Sequence, residues 1–332
     1  TILQDYAKES QTTASDLVNL LLQLRENTAT TIGRYTQERS RIDIAVMSSG
    51  AAALVHRKAI PTKLNPVVKS LMNAIKREQS SDLQNFAAAH LATLMGWCRT
   101  NGKSKVADRM LHNICALLCD TSDLEASEHA SEEHDEDEVD DEAARQHACR
   151  GATMVLTELC ARHGGSLFAE VPALHQAIAK SVTKIRETRT VSDAEVIGAA
   201  ISLRVCGVLS TSLQGDALSA VVVLIPDVLY CIRFGKSKML TAACRCLGSI
   251  SRRVCTMADV MHAFLAEATS MLADSLRPST RLGAAYALHE VITVLDVELV
   301  SYLTQLLVPV MGAMSDSSTI VRRIATQSFC TL

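Results

Sequence analysis

Aromatic residues are scarce in this sequence, and their shortage argues against a strand-rich fold. Phe, Trp and Tyr make up 3% of 332 residues, whereas sheet domains lean on aromatic and β-branched side chains and on frequent turn signals. Turn formers are thin as well, with 14 Gly and 6 Pro. The longest apolar runs, such as LSAVVVLI at 218–225, stop short of the roughly 20 residues that cross a bilayer. No basic segment followed by an apolar one opens the chain as a secretory leader would. The eleven cysteines form no CxxC pair and no Cys/His run with zinc spacing. They sit in apolar runs such as ACRCLGSI, where cysteine serves as a small buried hydrophobe. The expectation is a reduced intracellular protein with no membrane contact, no disulfides and no metal site.

What the sequence does have is Ala, Leu and Val in quantity, with 48% hydrophobic and 21% charged residues. This composition suits closely packed helices. The net charge of −3 conceals an asymmetry. Residues 120–142, DTSDLEASEHASEEHDEDEVDDE, hold 13 of the 36 acidic residues and no Lys or Arg. Elsewhere 33 basic residues face 23 acidic ones, a net of +10. Such a run reads as a disordered charged insertion.

Internal similarity organises the remainder. NFAAAHLATLM (85–95), RGATMVLTEL (150–159), GAAISLRVCGVL (198–209), TAACRCLGSI (241–250), GAAYALHEVI (283–292) and RIATQSFCTL (323–332) align on one small residue. Ala200, Ala242, Ala284 and Ala325 are 42, 42 and 41 apart. Ala87 and Ala152 are 65 apart, which returns to 42 once the 23 acidic residues are set aside. Before each alanine comes an apolar helix, often with an early proline (Pro66, Pro172, Pro226, Pro309), then a polar turn. Proline is accommodated in a first helical turn, and turns such as Ser315-Asp316-Ser317-Ser318 offer capping oxygens. A two-helix unit of this length is the HEAT/armadillo signature. The expected fold is all-α, an α-solenoid of about seven helix pairs, with repeats in 1–119, the acidic insertion in 120–142, and repeats again in 143–332.

Chemistry is hard to find. The GKS tripeptides at 102–104 and 235–237 lack the first glycine of a phosphate loop, having Trp97 and Tyr230 there, so both read as inter-helix turns. Carboxylates cluster only in the solvated run, not in the water-poor pairing that acid/base catalysis needs. Basic pairs such as Lys76-Arg77 and Arg322-Arg323 recur near turns, without the aromatic interleaving of base-stacking proteins. The segment reads as a protein-binding scaffold that is not itself an enzyme and has no small-molecule substrate.

Two stretches go beyond the generic repeat. IPTKLNPVVKSLMNAIKREQSSDLQNFAAAHLATLM (60–95), through Pro61, Lys63, Leu64, Asn65, Pro66, Lys76, Arg77, Glu78, Leu83, Gln84 and Asn85, and LDVELVSYLTQLLVPVMGAMSDSSTIVRRIATQSFCTL (295–332) carry it. Together they resemble the TATA-binding-protein-associated SWI/SNF-type ATPases, the "modifier of transcription" family, over roughly residues 48–332. The resemblance implies the C-terminal part of a HEAT array that precedes an ATPase motor. It implies TATA-binding protein as partner, a role in its removal from promoter DNA, and a nuclear location. DNA-backbone contact, ATP and magnesium would belong to the adjoining motor. Periodicity alone leaves open a karyopherin-like nuclear transport receptor, or a HEAT scaffold of a phosphatase or chromatin complex. Partner contact is expected at turns: Lys63, Asn65, Lys76, Arg77, Lys236, Lys238, Arg277, Asp316, Arg322 and Arg323. The acidic insertion reads as a spacer, with DNA mimicry toward TATA-binding protein as the second reading.

Overall fold

The computed structural model describes residues 13–27, 36–58, 61, 64–118, 136–188, 191–234 and 237–332. Among these residues all regular structure is helical. Packing divides the chain into a first unit that ends at Leu159 and a second that runs from Cys160 to Leu332.

The first unit contains α1 (residues 13–27), α2 (Thr36–Arg57), α3 (Asn65–Arg77), α4 (Ser81–Thr100), α5 (Ser104–Ala116) and most of α6 (Glu136–His163). α1 is tied to α2 by an Arg25–Asp43 ion pair at 2.7 Å. α2 packs on both α3 and α4, and α4 on α5. Pro66 sits in the first turn of α3. Gly102, at φ +74°, turns the chain from α4 into α5, so the first GKS tripeptide is an inter-helix turn. α6 begins at Glu136, so residues 136–142 of the acidic segment open a helix rather than belonging wholly to a disordered insertion. Residues 119–135 lie outside the described residues, as does the glycine–lysine part of the second GKS tripeptide.

The second unit continues through α7 (Leu167–Glu170), α8 (Pro172–Glu187), α9 (Asp193–Ser210), α10 (Gly215–Val222), α11 (Ile225–Phe234), α12 (Ser237–Val254), α13 (Ala258–Leu272), α14 (Pro278–Leu295), α15 (Leu303–Ala313) and α16 (Thr319–Thr331). Its first helices α8, α11, α13 and α15 pack one on the next. Its second helices α9, α12, α14 and α16 do the same, more intimately. This two-row stacking of helix pairs is HEAT-type solenoid packing. The pairs α1/α2, α3/α4, α5/α6, α8/α9, α11/α12, α13/α14 and α15/α16 account for the expected seven repeats.

The aligned alanines explain the register. Ala87, Ala152, Ala200, Ala242, Ala284 and Ala325 are all buried, none more than 8% exposed. A small residue there lets neighbouring helices close on one another. The residue before the alanine is glycine in two repeats for a related reason. A Cβ on Gly151 would lie 2.2 Å from the Ile75 carbonyl oxygen, and one on Gly283 2.7 Å from that of Ile232. In both units, therefore, a second helix runs against the carbonyl of the preceding repeat's first helix.

Three expectations are corrected. Pro309 lies inside α15 and not in its first turn, because the 3-10 segment Asp296–Tyr302 leads into a helix that starts at Leu303. The N-cap of α16, Ser318, makes no side-chain cap; the turn's Asp316 instead accepts the N–H of Ser318 itself. The apolar run at 218–225 also does not end at Pro226. α10 and α11 follow each other with only Val223 and Leu224 between them, and Gly215–Arg233, like Pro278–Ala313, is long and apolar enough by composition to cross a membrane. Many of these apolar residues, among them Val221, Val228, Val291 and Ile292, form the core between repeats.

Candidate partner-binding turns

The turn that joins first and second helices is built alike in several repeats. A carboxylate accepts the backbone N–H two residues on: Glu78 from Ser80 at 3.0 Å, Asp274 from Leu276 at 2.9 Å, and Asp316 from Ser318 at 2.7 Å. Those of Asp274 and Asp316 are Asx-type turn caps, and all three acids stand nine or ten residues before the aligned alanine. In the α8/α9 repeat a capping box replaces them. Ser192 Oγ accepts from the Glu195 N–H, and Glu195 Oε2 accepts from the Ser192 N–H at 2.9 Å. Lys184 adds an ion pair to Glu195 at 2.7 Å. These contacts, led by the Lys184 hydrogen bond, lower the Glu195 carboxyl to about 2.

Three residues before the aligned alanine stands a second recurrent group: Gln84, Arg281 or Arg322. Each braces its own turn. The Gln84 amide, fully buried, donates to the Ile75 and His147 carbonyls, both at 2.7 Å, and accepts from Arg150 Nε at 2.6 Å. Arg150 also donates to the Glu78 and Gln79 carbonyls. Arg281 donates to the Asp274 carbonyl at 2.9 Å and reaches forward to grip the Asp316 carboxylate with Nε at 2.7 Å and Nη2 at 3.3 Å. Arg322 in turn donates to the Asp316 and Ser317 carbonyls. The hydrogen bond from Arg281 holds the Asp316 carboxyl below its ordinary value, and the same contact raises the Arg281 guanidinium. Within each unit the result is a polar ladder along the turn edge that joins one repeat to the next.

This geometry sorts the turn residues expected to meet a partner. Lys76 and Arg77, at the end of α3, and Arg323, in the second turn of α16, are exposed. Arg277 is exposed at the start of α14. Asn65 is exposed but lies at the other end of α3 from Lys76, about 17 Å away at 1.5 Å per residue. It belongs to a different edge. Asp316 and Arg322 are committed to the ladder. Lys238 falls in the first turn of α12, while Lys63 and Lys236 lie outside the described residues. Sequence reasoning passed over Arg281 and Arg150. The signal for Arg281 was its position, shared with Gln84 and Arg322 relative to the alanine.

Two histidines join neighbouring repeats. His262 meets Gln305 at 2.8 Å and the Tyr302 ring at 5.2 Å, which joins α13 to α15 and its approach, and His289 meets Ser328 at 3.1 Å between α14 and α16.

Comparison with known proteins adds the following. A family described as "Domain of unknown function (DUF3535)" matches residues 2–177. TATA-binding protein-associated factor BTAF1 of Arabidopsis thaliana is 30% identical over 93% of the chain, which spans 16% of that protein. TATA-binding protein-associated factor mot1 of Schizosaccharomyces pombe is 24% identical over 91% of the chain and 18% of its own length. TATA-binding protein-associated factor 172 of Homo sapiens is 26% identical over 93% and 20%. The chain thus spans about a fifth or less of these relatives. Among solved structures, Kap121p superposes with a TM-score of 0.55 at 16% identity, covering 96% of this chain and 30% of Kap121p. That likeness establishes the solenoid fold and carries no functional information.

Proposed function

The chain belongs to the DUF3535 family, within the HEAT-repeat region of TATA-binding-protein-associated factors of the Mot1 type, and from that premise we propose that it is a scaffold segment through which a longer nuclear protein holds TATA-binding protein. The observation that carries this reading is the extent of the similarity. Relatives from plant, fungus and human match over 91–93% of the chain, and each is named for association with TATA-binding protein. The physical role of the segment is rigidity. Within each unit the aligned alanines are buried between packed helices, and in the last two repeats the Arg281–Asp316 pair adds a tie. A stack of this kind transmits displacement along its length, whereas a flexible linker dissipates it.

On this reading the catalytic work lies outside this chain. An ATP- and magnesium-dependent motor in the parent polypeptide supplies the force and the DNA contact, and the scaffold couples that force to removal of TATA-binding protein from promoter DNA. Exposed turn cations, Lys76, Arg77 and Arg323 among them, are the proposed points of partner contact.

The test is retention of purified TATA-binding protein by the parent HEAT array with and without residues 1–332. Loss of retention on deleting the segment is expected, and unchanged retention overturns the proposal. Purified alone, the chain is expected to hydrolyse no ATP. A separate deletion of 120–142 examines the acidic run. Unchanged affinity for DNA-free TATA-binding protein supports the spacer reading, and weakened affinity supports DNA mimicry.

A further inference from the structure

On the last second helices of the second unit, one stripe of residues faces the following repeat. Leu247, Leu288 and Phe329 recur in it 41 positions apart, and so do Gly248, His289 and Cys330. On α12 and α14 the stripe touches the next second helix. A Cβ on Gly248 would lie 3.3 Å from the Glu290 carbonyl oxygen, and His289 meets Ser328 at 3.1 Å. Leu247 and Leu288 are accordingly buried. On α16 the same stripe is open. Phe329 is 37% exposed, and Cys330 beside it is exposed as well.

Arg322 shows the same unfinished pattern. Like Arg281, it donates from Nη1 to the carbonyl of its own turn aspartate, Asp316 at 2.7 Å where Arg281 has Asp274 at 2.9 Å. Arg281 then gives Nε to the carboxylate of Asp316 in the next repeat, 35 positions on. Arg322 has no carboxylate partner among the described residues; its remaining contacts are the Ser317 carbonyl and the Thr319 hydroxyl. A guanidinium so placed keeps N–H donors for a planar carboxylate.

We propose that this open face is an inter-repeat interface whose occupant is another helix pair of the same type, carried by the parent polypeptide. Its second helix covers Phe329 and Cys330, and the turn between its helices sets an Asp or Glu carboxylate on Arg322. The inference rests on the reading of this chain as a segment of a longer HEAT array, and not on what that array binds. Three observations select the occupant. The face continues, at matching positions, an interface made twice already within the unit. The chain spans only 16–20% of the relatives named above, so such polypeptides extend well outside it. α15 and α16 contain no acidic residue, so a second copy offering the same two helices would bring Arg322 no carboxylate from them. The spacing also locates the acid. It is expected about 35 positions after Arg322 in the parent, as Asp316 follows Arg281.

Iodoacetamide labelling of Cys330, read by mass spectrometry in the isolated chain and in the parent polypeptide, tests this. Cys330 is expected to react at least about tenfold more slowly in the parent. Arg322→Glu is expected to restore fast labelling there, and combining it with exchange of the matching acid for arginine to slow labelling again. That recovery is a gain of protection, which a misfolded variant would not give. Equal labelling in parent and chain, or protection indifferent to Arg322→Glu, overturns the proposal. So does a parent with no acid within one helical turn of the expected spacing. Protection that arises in the isolated chain by dimerisation overturns it in favour of a second copy. TATA-binding protein is absent from both arms, so failure here leaves its retention by the array untouched.

Discussion

Asp316 uses both carboxylate oxygens inside the protein, one on Arg281 Nε and the other on Arg281 Nη2 and the Ser318 N–H. Its side chain and that of Arg281 are 9% and 10% exposed. Removing one partner of such a pair leaves the other charge buried, so Asp316→Ala is expected to cost about 3 kcal/mol in urea unfolding. The pair also sets an acid limit. Because the folded-state pKa of Asp316 lies below the ordinary 3.8, its contribution is complete above that value and disappears as pH falls through the folded pKa. The wild type should therefore begin to lose its advantage over Asp316→Ala as pH falls below 3.8. Gly283 is equally constrained. Gly283→Ala places a methyl 2.7 Å from a backbone oxygen that cannot step aside, and a loss of about 1–3 kcal/mol is expected by thermal melting. Neither cost was legible beforehand. Asp316 read as a polar turn residue because its partner lies 35 positions upstream, and Gly283 read as a member of an alanine-rich helix because the opposing carbonyl belongs to another repeat. Thiols follow the same logic. Burial pushes Cys160 and Cys231 up to about 12, while Cys330 is exposed. Iodoacetamide at pH 8 should label Cys330 in the native chain and reach the other two only on unfolding.

At the scale of the helix, proline and turn chemistry carried most of the signal. Pro66 and Pro172 start α3 and α8 as expected of a residue whose missing N–H has no intrahelical partner. Pro309 departs from that pattern, since residues 296–302 extend the helical path upstream of it. The capping box of α9 gives a test specific to one element. Ser192→Ala removes the hydroxyl that accepts from Glu195 N–H and should cost about 1 kcal/mol. Glu195 titrates at about 2, against an ordinary 4.5. Its contribution is thus full above pH 4.5 and fades as pH falls toward 2. Amide protection in the first turn of α9 should fade over that window in the wild type and be insensitive to pH across it in a Glu195→Gln variant.

Across the whole chain, two units with separate internal packing predict separable responses. Gly151→Ala should lower hydrogen-exchange protection mainly in α3, α4 and α6, and Gly283→Ala mainly in α11 and α14, since each clash is confined to its own unit. The sequence by itself determined the helical class and the period near 42, because both rest on local features, few aromatic residues and a small residue recurring in register, while the family resemblance rested on the two stretches at 60–95 and 295–332. Tertiary structure alone decided that Arg281 pairs with the next repeat's turn and that two glycines lie against carbonyls. Those outcomes depend on which atoms two helices bring within van der Waals or hydrogen-bond reach, and one chain's periodicity does not encode that distance.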